Sequence, residues 1–91
     1  MDITGLRKKI DLVDGKILQL LNERAVIARR IGLLKKGNNL SVHHSKREEE
    51  ILTRMLKANK GPLSGRDIRK IYLLIIEACR ELQRGGDQGD V

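Results

Sequence analysis

Residues 3–36, ITGLRKKIDLVDGKILQLLNERAVIARRIGLLKK, decide the fold. Their apolar side chains step alternately by three and four: Ile3, Leu6, Ile10, Val13, Ile17, Leu20, then Ile27, Ile31 and Leu34. That spacing is a heptad seam, and it predicts one helix from about Ile3 to about Lys36. One seam position breaks the pattern, and it holds Arg24. At ~1.5 Å per residue the helix is about 50 Å long. A helix of that length cannot bury its seam inside one 91-residue chain. The simplest partner is a second copy, in a two-fold dimer.

Outward from this stretch the chain reads as two more helices and a tail. Gly37-Asn38-Asn39 ends the first helix, because Gly and Asn tolerate a left-handed cap, and residues 37–44 form a loop. A second helix starts near Ser45 or Lys46 and runs to about Ala58, with Ile51, Leu52, Met55 and Leu56 as its apolar side. Ser45 and Glu48 have the spacing of a capping box. Asn59-Lys60-Gly61-Pro62 is a break. A third helix starts at Ser64, a good N-cap, with Asp67 in its first turn. Its inner stripe reads Ile68, Ile71, Tyr72, Ile75, Cys79, Leu82. The class is therefore all-α: a helical domain over residues 1–84 and a flexible tail over residues 85–91.

Composition narrows the function. Nineteen Lys and Arg against twelve Asp and Glu give a net charge of +7, which favours anionic partners. Trp and Phe are absent and Tyr72 is the only aromatic residue, so stacking platforms for single-stranded nucleic acid are excluded. The single cysteine forms neither an internal disulfide nor a zinc cluster. No apolar run approaches the ~20 residues of a membrane span. The first residues lack the layout of a signal peptide. These points favour a cytoplasmic protein. Nucleic acid, an acidic membrane surface and a small polycarboxylate all fit the charge, and composition does not choose among them.

Polar groups on inward stripes point to a site, because a buried charge needs a partner. Arg24 occupies the seam. Lys35 lies eleven residues on, nearly on the same face and about 16 Å along the axis. Arg7 is about 26 Å from Arg24 and cannot reach it within one helix. In an antiparallel dimer crossing near residue 18, Arg7 of one chain lands opposite residues 24–35 of the other. Arg47 and Glu48 open the second helix, with Glu48 on the stripe of Leu52 and Met55. Cys79 and Gln83 close the third, one turn apart. The set carries three or four cations, one carboxylate and one amide, which suits a compact dicarboxylate. Each residue also has a plainer reading. Arg24 can be a register-setting seam residue paired with a carboxylate such as Glu48. Lys35 can balance the helix dipole, Glu48 can be only the cap of Ser45, Cys79 a small core residue, and Gln83 simply solvated.

The ordered set Leu6-Arg7-Lys8-Lys9-Ile10-Asp11, Leu20-Leu21-Asn22-Glu23-Arg24, Ile31-Gly32-Leu33-Leu34-Lys35 and Arg47-Glu48 resembles the small all-helical chorismate mutases. So do the turn Asn59-Lys60-Gly61-Pro62-Leu63 and the last helix from Ile75-Ile76-Glu77 to Leu82-Gln83. The resemblance covers residues 3–83. It implies an intertwined dimer with two sites, converting chorismate to prephenate in phenylalanine and tyrosine biosynthesis. It implies that Arg7 of the other subunit and Arg24 bind substrate carboxylates. Lys35 and Gln83 would donate to the ether oxygen, Arg47 would support the pocket, and Glu48 would accept from the substrate hydroxyl. Together with the inward placement of the key cations, the resemblance also sets the expectation of no metal, no cofactor, no nucleic acid and no membrane. His44 stands where many members have Asp, and Cys79 where Ser or another small residue is usual; both are expected to line the site. Two other classes stay open: an isochorismate pyruvate-lyase of the same fold, and a non-catalytic regulatory helical dimer.

Overall fold

The computed structural model describes residues 2–37 and 45–84. Three helices make up the fold: α1 (Ile3–Gly37), α2 (Ser45–Ala58) and α3 (Gly65–Arg84). The expected loop over residues 38–44 and tail over residues 85–91 lie outside the described residues.

The helix ends follow from local chemistry. Asp2 caps α1: the backbone N–H of Thr4 donates to Asp2 Oδ1 at 3.2 Å, and the N–H of Leu6 donates to the Asp2 carbonyl at 3.3 Å. Lys35 and Lys36 sit in the last turn, where cations offset the unsatisfied carbonyls. Gly37, expected as the first loop residue, is the last residue of the helix. The turn between α2 and α3 is built by Asn59. Its Oδ1 accepts from the N–H of Gly61 at 3.1 Å, and its Nδ2 donates to the carbonyl of Leu63 at 2.8 Å. Gly61 has φ +77°, the left-handed region that a side chain disfavours. Ser64 caps α3 as expected, its Oγ accepting from the N–H of Asp67 at 3.1 Å.

The helix α3 packs against both α1 and α2, and α1 and α2 do not pack on each other among the described residues. The molecule measures 56 × 32 × 14 Å. A thickness of 14 Å is little more than one helix diameter, so the three helices form a single layer. The core is correspondingly small: Ile51 and Leu52 of α2 and Ile76 of α3, with Met55 and Tyr72 packed against them. On α1 only Ala28 and Gly32 are buried, and Gly32 lies against Gln83 of α3. The seam from Ile3 to Leu20 is exposed in the single chain; Ile10 is 58% and Leu20 63% accessible.

The inner stripe of α3 needs a correction. Ile76, absent from the expected stripe, is buried, whereas Ile71 remains exposed. A stripe read for one neighbour is too narrow here, because α3 is flanked on two sides. Among the described residues no helix is long and apolar enough to cross a membrane.

Leu52 is 4% exposed in a core of few members. Leu52→Ala is expected to lower the unfolding free energy by about 2–5 kcal/mol, read as an earlier midpoint in urea. An unchanged midpoint would show that this cluster does not hold α2 on α3.

Candidate active site

The layer leaves one face of α1 and α3 open, and an 890 Å³ groove runs along it. One end is apolar, lined by Ile17, Leu20 and Leu21 of α1 and by Ile71 and Tyr72 of α3. The other end is polar. There α1 contributes Lys35, α2 contributes Arg47 and Glu48, and α3 contributes Cys79, Arg80 and Gln83, while Arg24 of α1 and Arg54 of α2 also line the groove.

Six residues expected from the sequence therefore meet around one groove: Arg24, Lys35, Arg47, Glu48, Cys79 and Gln83. Arg7 does not join them. It is exposed on the N-terminal part of α1 and does not line the groove, in keeping with its axial distance from Arg24. His44 lies outside the described residues.

Five cations, Arg24, Lys35, Arg47, Arg54 and Arg80, face one carboxylate, Glu48, across this groove. Glu48 is held by Arg80: Nε donates to Oε2 and Nη2 to Oε1, each at 3.2 Å. Among the described residues the ion pairs are Arg80–Glu48 and Arg84–Glu81, so Arg24 is not the partner of Glu48. Arg24 is half-buried on the groove wall, and neither of these two ion pairs includes it. An excess of positive charge in a partly desolvated cleft attracts a small polyanion. Cys79 is buried behind the charged side chains and acts as a small wall residue.

Two features were missed in the sequence. Arg80 belongs to the stripe Tyr72, Ile76, Arg80, Gln83, spaced by four, four and three, which becomes visible once Ile76 is recognised as inward-facing. Gly32 is the second. A Cβ built on it would lie 2.6 Å from the Cα of Gln83 and 2.8 Å from its carbonyl oxygen. Backbone meets backbone there, so only glycine lets α1 and α3 approach closely enough to bring Gln83 beside Lys35.

The three helices bring five cations, one clamped carboxylate and one amide to one groove, a lining whose charge suits a small anion. The chain belongs to the type II chorismate mutase family, whose profile matches residues 6–84. It is similar to the bifunctional chorismate mutase/prephenate dehydratase of Aquifex aeolicus, 42% identical over 91% of this chain and 24% of that protein. The chorismate mutase of Methanocaldococcus jannaschii is 34% identical over 90% of this chain and 84% of that one. A solved structure of the Thermus thermophilus chorismate mutase superposes with a TM-score of 0.88 at 38% identity, covering 90% of this chain and 93% of that one. The chain spans about a quarter of the length of the bifunctional relatives, 24% for the Aquifex protein.

The Gly32 contact makes a paired prediction. Gly32→Ala forces α1 and α3 apart and is expected to cost about 1–3 kcal/mol in urea unfolding. Gly15, with nothing within 4 Å of its added Cβ, is the control: Gly15→Ala is expected to stabilise by about 0.5–1 kcal/mol. Equal effects at the two sites would remove the close-approach argument.

Proposed function

We propose that the groove binds chorismate and that the protein rearranges it to prephenate, without metal or cofactor. The observation carrying this reading is the convergence of Arg24, Lys35, Arg47, Glu48 and Gln83, from three helices, on one groove in a chain of this family. Arg24 binds one substrate carboxylate. Lys35 and Gln83 donate to the ether oxygen, and Lys35 also helps to hold a carboxylate. Arg47 supports the pocket, and Glu48 accepts from the ring hydroxyl. His44 and Cys79 complete the lining.

The reaction is an intramolecular rearrangement of Claisen type. One carbon–oxygen bond breaks as one carbon–carbon bond forms, and no proton or electron leaves the substrate. The protein has two tasks. It holds the enolpyruvyl arm over the ring, an orientation effect. It also stabilises the negative charge that grows on the ether oxygen as the bond stretches, using donors fixed in advance. The ammonium of Lys35 and the amide of Gln83 are those donors, and Gly32 keeps the backbone carrying Gln83 close to α1.

The exposed seam of α1 supports a dimer of two such chains. Each large apolar side chain it covers contributes about 1.5–3 kcal/mol, so leaving Ile3 through Leu20 in water is strongly unfavourable. Antiparallel pairing brings Arg7 of the partner subunit to the charged end of the groove. It supplies the second carboxylate contact that Arg24 alone does not make. The setting is the cytoplasm, and the step belongs to phenylalanine and tyrosine biosynthesis.

Purified protein is expected to form prephenate from chorismate, and Lys35→Ala to lower kcat by roughly 10²–10³-fold, the usual cost of one oxyanion donor. Because an amide donates at any pH, turnover should stay nearly level from mildly acidic to mildly alkaline solution; a steep loss between about pH 6 and pH 8 contradicts the role of Gln83. Pyruvate released from isochorismate, with chorismate untouched, would move the protein to the lyase class. No reaction with either would leave a regulatory dimer.

Site sharing has its own test. Arg7→Ala and Lys35→Ala are each expected to be nearly inactive, yet mixing and refolding them together should restore activity. Half of the dimers are then mixed, each with one intact site of two, so about a quarter of wild-type activity returns. A mixture as inactive as its components would place Arg7 outside the site.

A further inference from the structure

We infer that Arg80 is a positioning residue for substrate recognition, acting through Glu48; the inference rests on the mutase reading of the groove. Among the described residues Glu48 is the only carboxylate lining the groove, and the proposed ligand is a dianion. An ionised carboxylate in such a site repels its own ligand unless a cation offsets it. Arg80 supplies that cation from α3, 32 residues away, and it does so with two N–H groups on two different oxygens.

The geometry matters beyond the charge. A guanidinium fork that bonds both oxygens fixes the carboxylate in its plane, which a single point charge does not. Each oxygen has two lone pairs, so one bond from Arg80 to each does not by itself fill either. The side chains are 24% and 21% exposed for Arg80 and Glu48, so the pair is screened by water less than a surface pair is. The other groups lining the groove beside it are Lys35 and Arg24 from α1, Arg47 and Arg54 from α2, and Cys79 and Gln83 from α3. Arg24 and Lys35 are claimed by substrate in the proposed mechanism, so their charge is spent on the ligand when it binds. Arg80 is the group bound to Glu48 through both oxygens, and it keeps an oriented acceptor in the groove while the other cations turn to the ligand.

The test is a double-substitution cycle on the intact protein, with chorismate as substrate. Arg80→Met keeps the aliphatic stem and removes the fork. Alone, it is expected to raise KM about tenfold with kcat changed less than about threefold, because a hydroxyl contact is made in the ground state and transition state alike. In a Glu48→Gln background the same substitution should move KM less than about twofold. Arg80→Lys, which restores charge without the fork, should recover only part of the KM loss. Additive effects would mean that Arg80 meets the substrate itself and would overturn the inference, as would full recovery with Lys or an unchanged KM in Arg80→Met. Circular dichroism and thermal midpoints of every variant separate these outcomes from unfolding. If the wild type leaves chorismate unchanged, the mutase reading falls. The same cycle in thermal midpoints then decides the pairing alone: coupled shifts retain Arg80 as the holder of Glu48, and additive shifts reject it.

Discussion

A helix of 35 residues flanked by helices of 14 and 20 cannot cover its own apolar seam. The shorter helices reach only part of its length, and the 14 Å thickness of the layer leaves no second shell to pack on it. The hydrophobic effect therefore makes the isolated layer unstable wherever the seam meets water. In the proposed dimer, two copies resolve this by covering each other. The groove that carries the charged residues is lined in part by the same seam, at Ile17, Leu20, Ile27 and Ile31, so in that proposed dimer the groove would lie near the second copy.

Charge in the groove is arranged against the ordinary logic of a core. Buried cations are normally balanced by carboxylates from the same chain. Among the described residues five cations and one carboxylate line the groove, and Arg80 holds that carboxylate through both oxygens. In the proposed reading, a bound dianion adds negative charge to this cationic lining. Donors fixed by packing before substrate arrives need little reorganisation as charge develops, which is the usual basis of catalysis by preorganised dipoles. Gly32 belongs to the same economy of positions. By allowing two backbones to touch, it holds the end of α3 close to α1.

Periodicity and local chemistry in the chain were enough to read much of this. The seam spacing marked α1 to within a residue at its C-terminal end, Ser64 marked the start of α3, and the Asn59–Pro62 stretch marked the turn. Arg24 stood out as a charge on an apolar stripe, a signal that needs no tertiary information. Arg80 carried no such mark, because its stripe was recognisable only after α3 proved to be flanked on two sides. Gly32 looked like any glycine tolerated in a long helix. Its reason lies in Gln83, 51 positions further along the chain.

By itself, then, the sequence determined three helices, their ends, an apolar seam too long for one chain, and most of the polar residues that line the groove. These are local properties: a propensity, a cap or a heptad depends on neighbours within a turn or two. Tertiary structure alone decided which of the inward charges pair, and with whom. It assigned Glu48 to Arg80 rather than to Arg24, buried Ile76, and turned Gly32 into a point of contact. Each of these depends on where α3 lies between its two neighbours, and that placement is set by the sum of packing over whole helix faces, which no short stretch of sequence encodes.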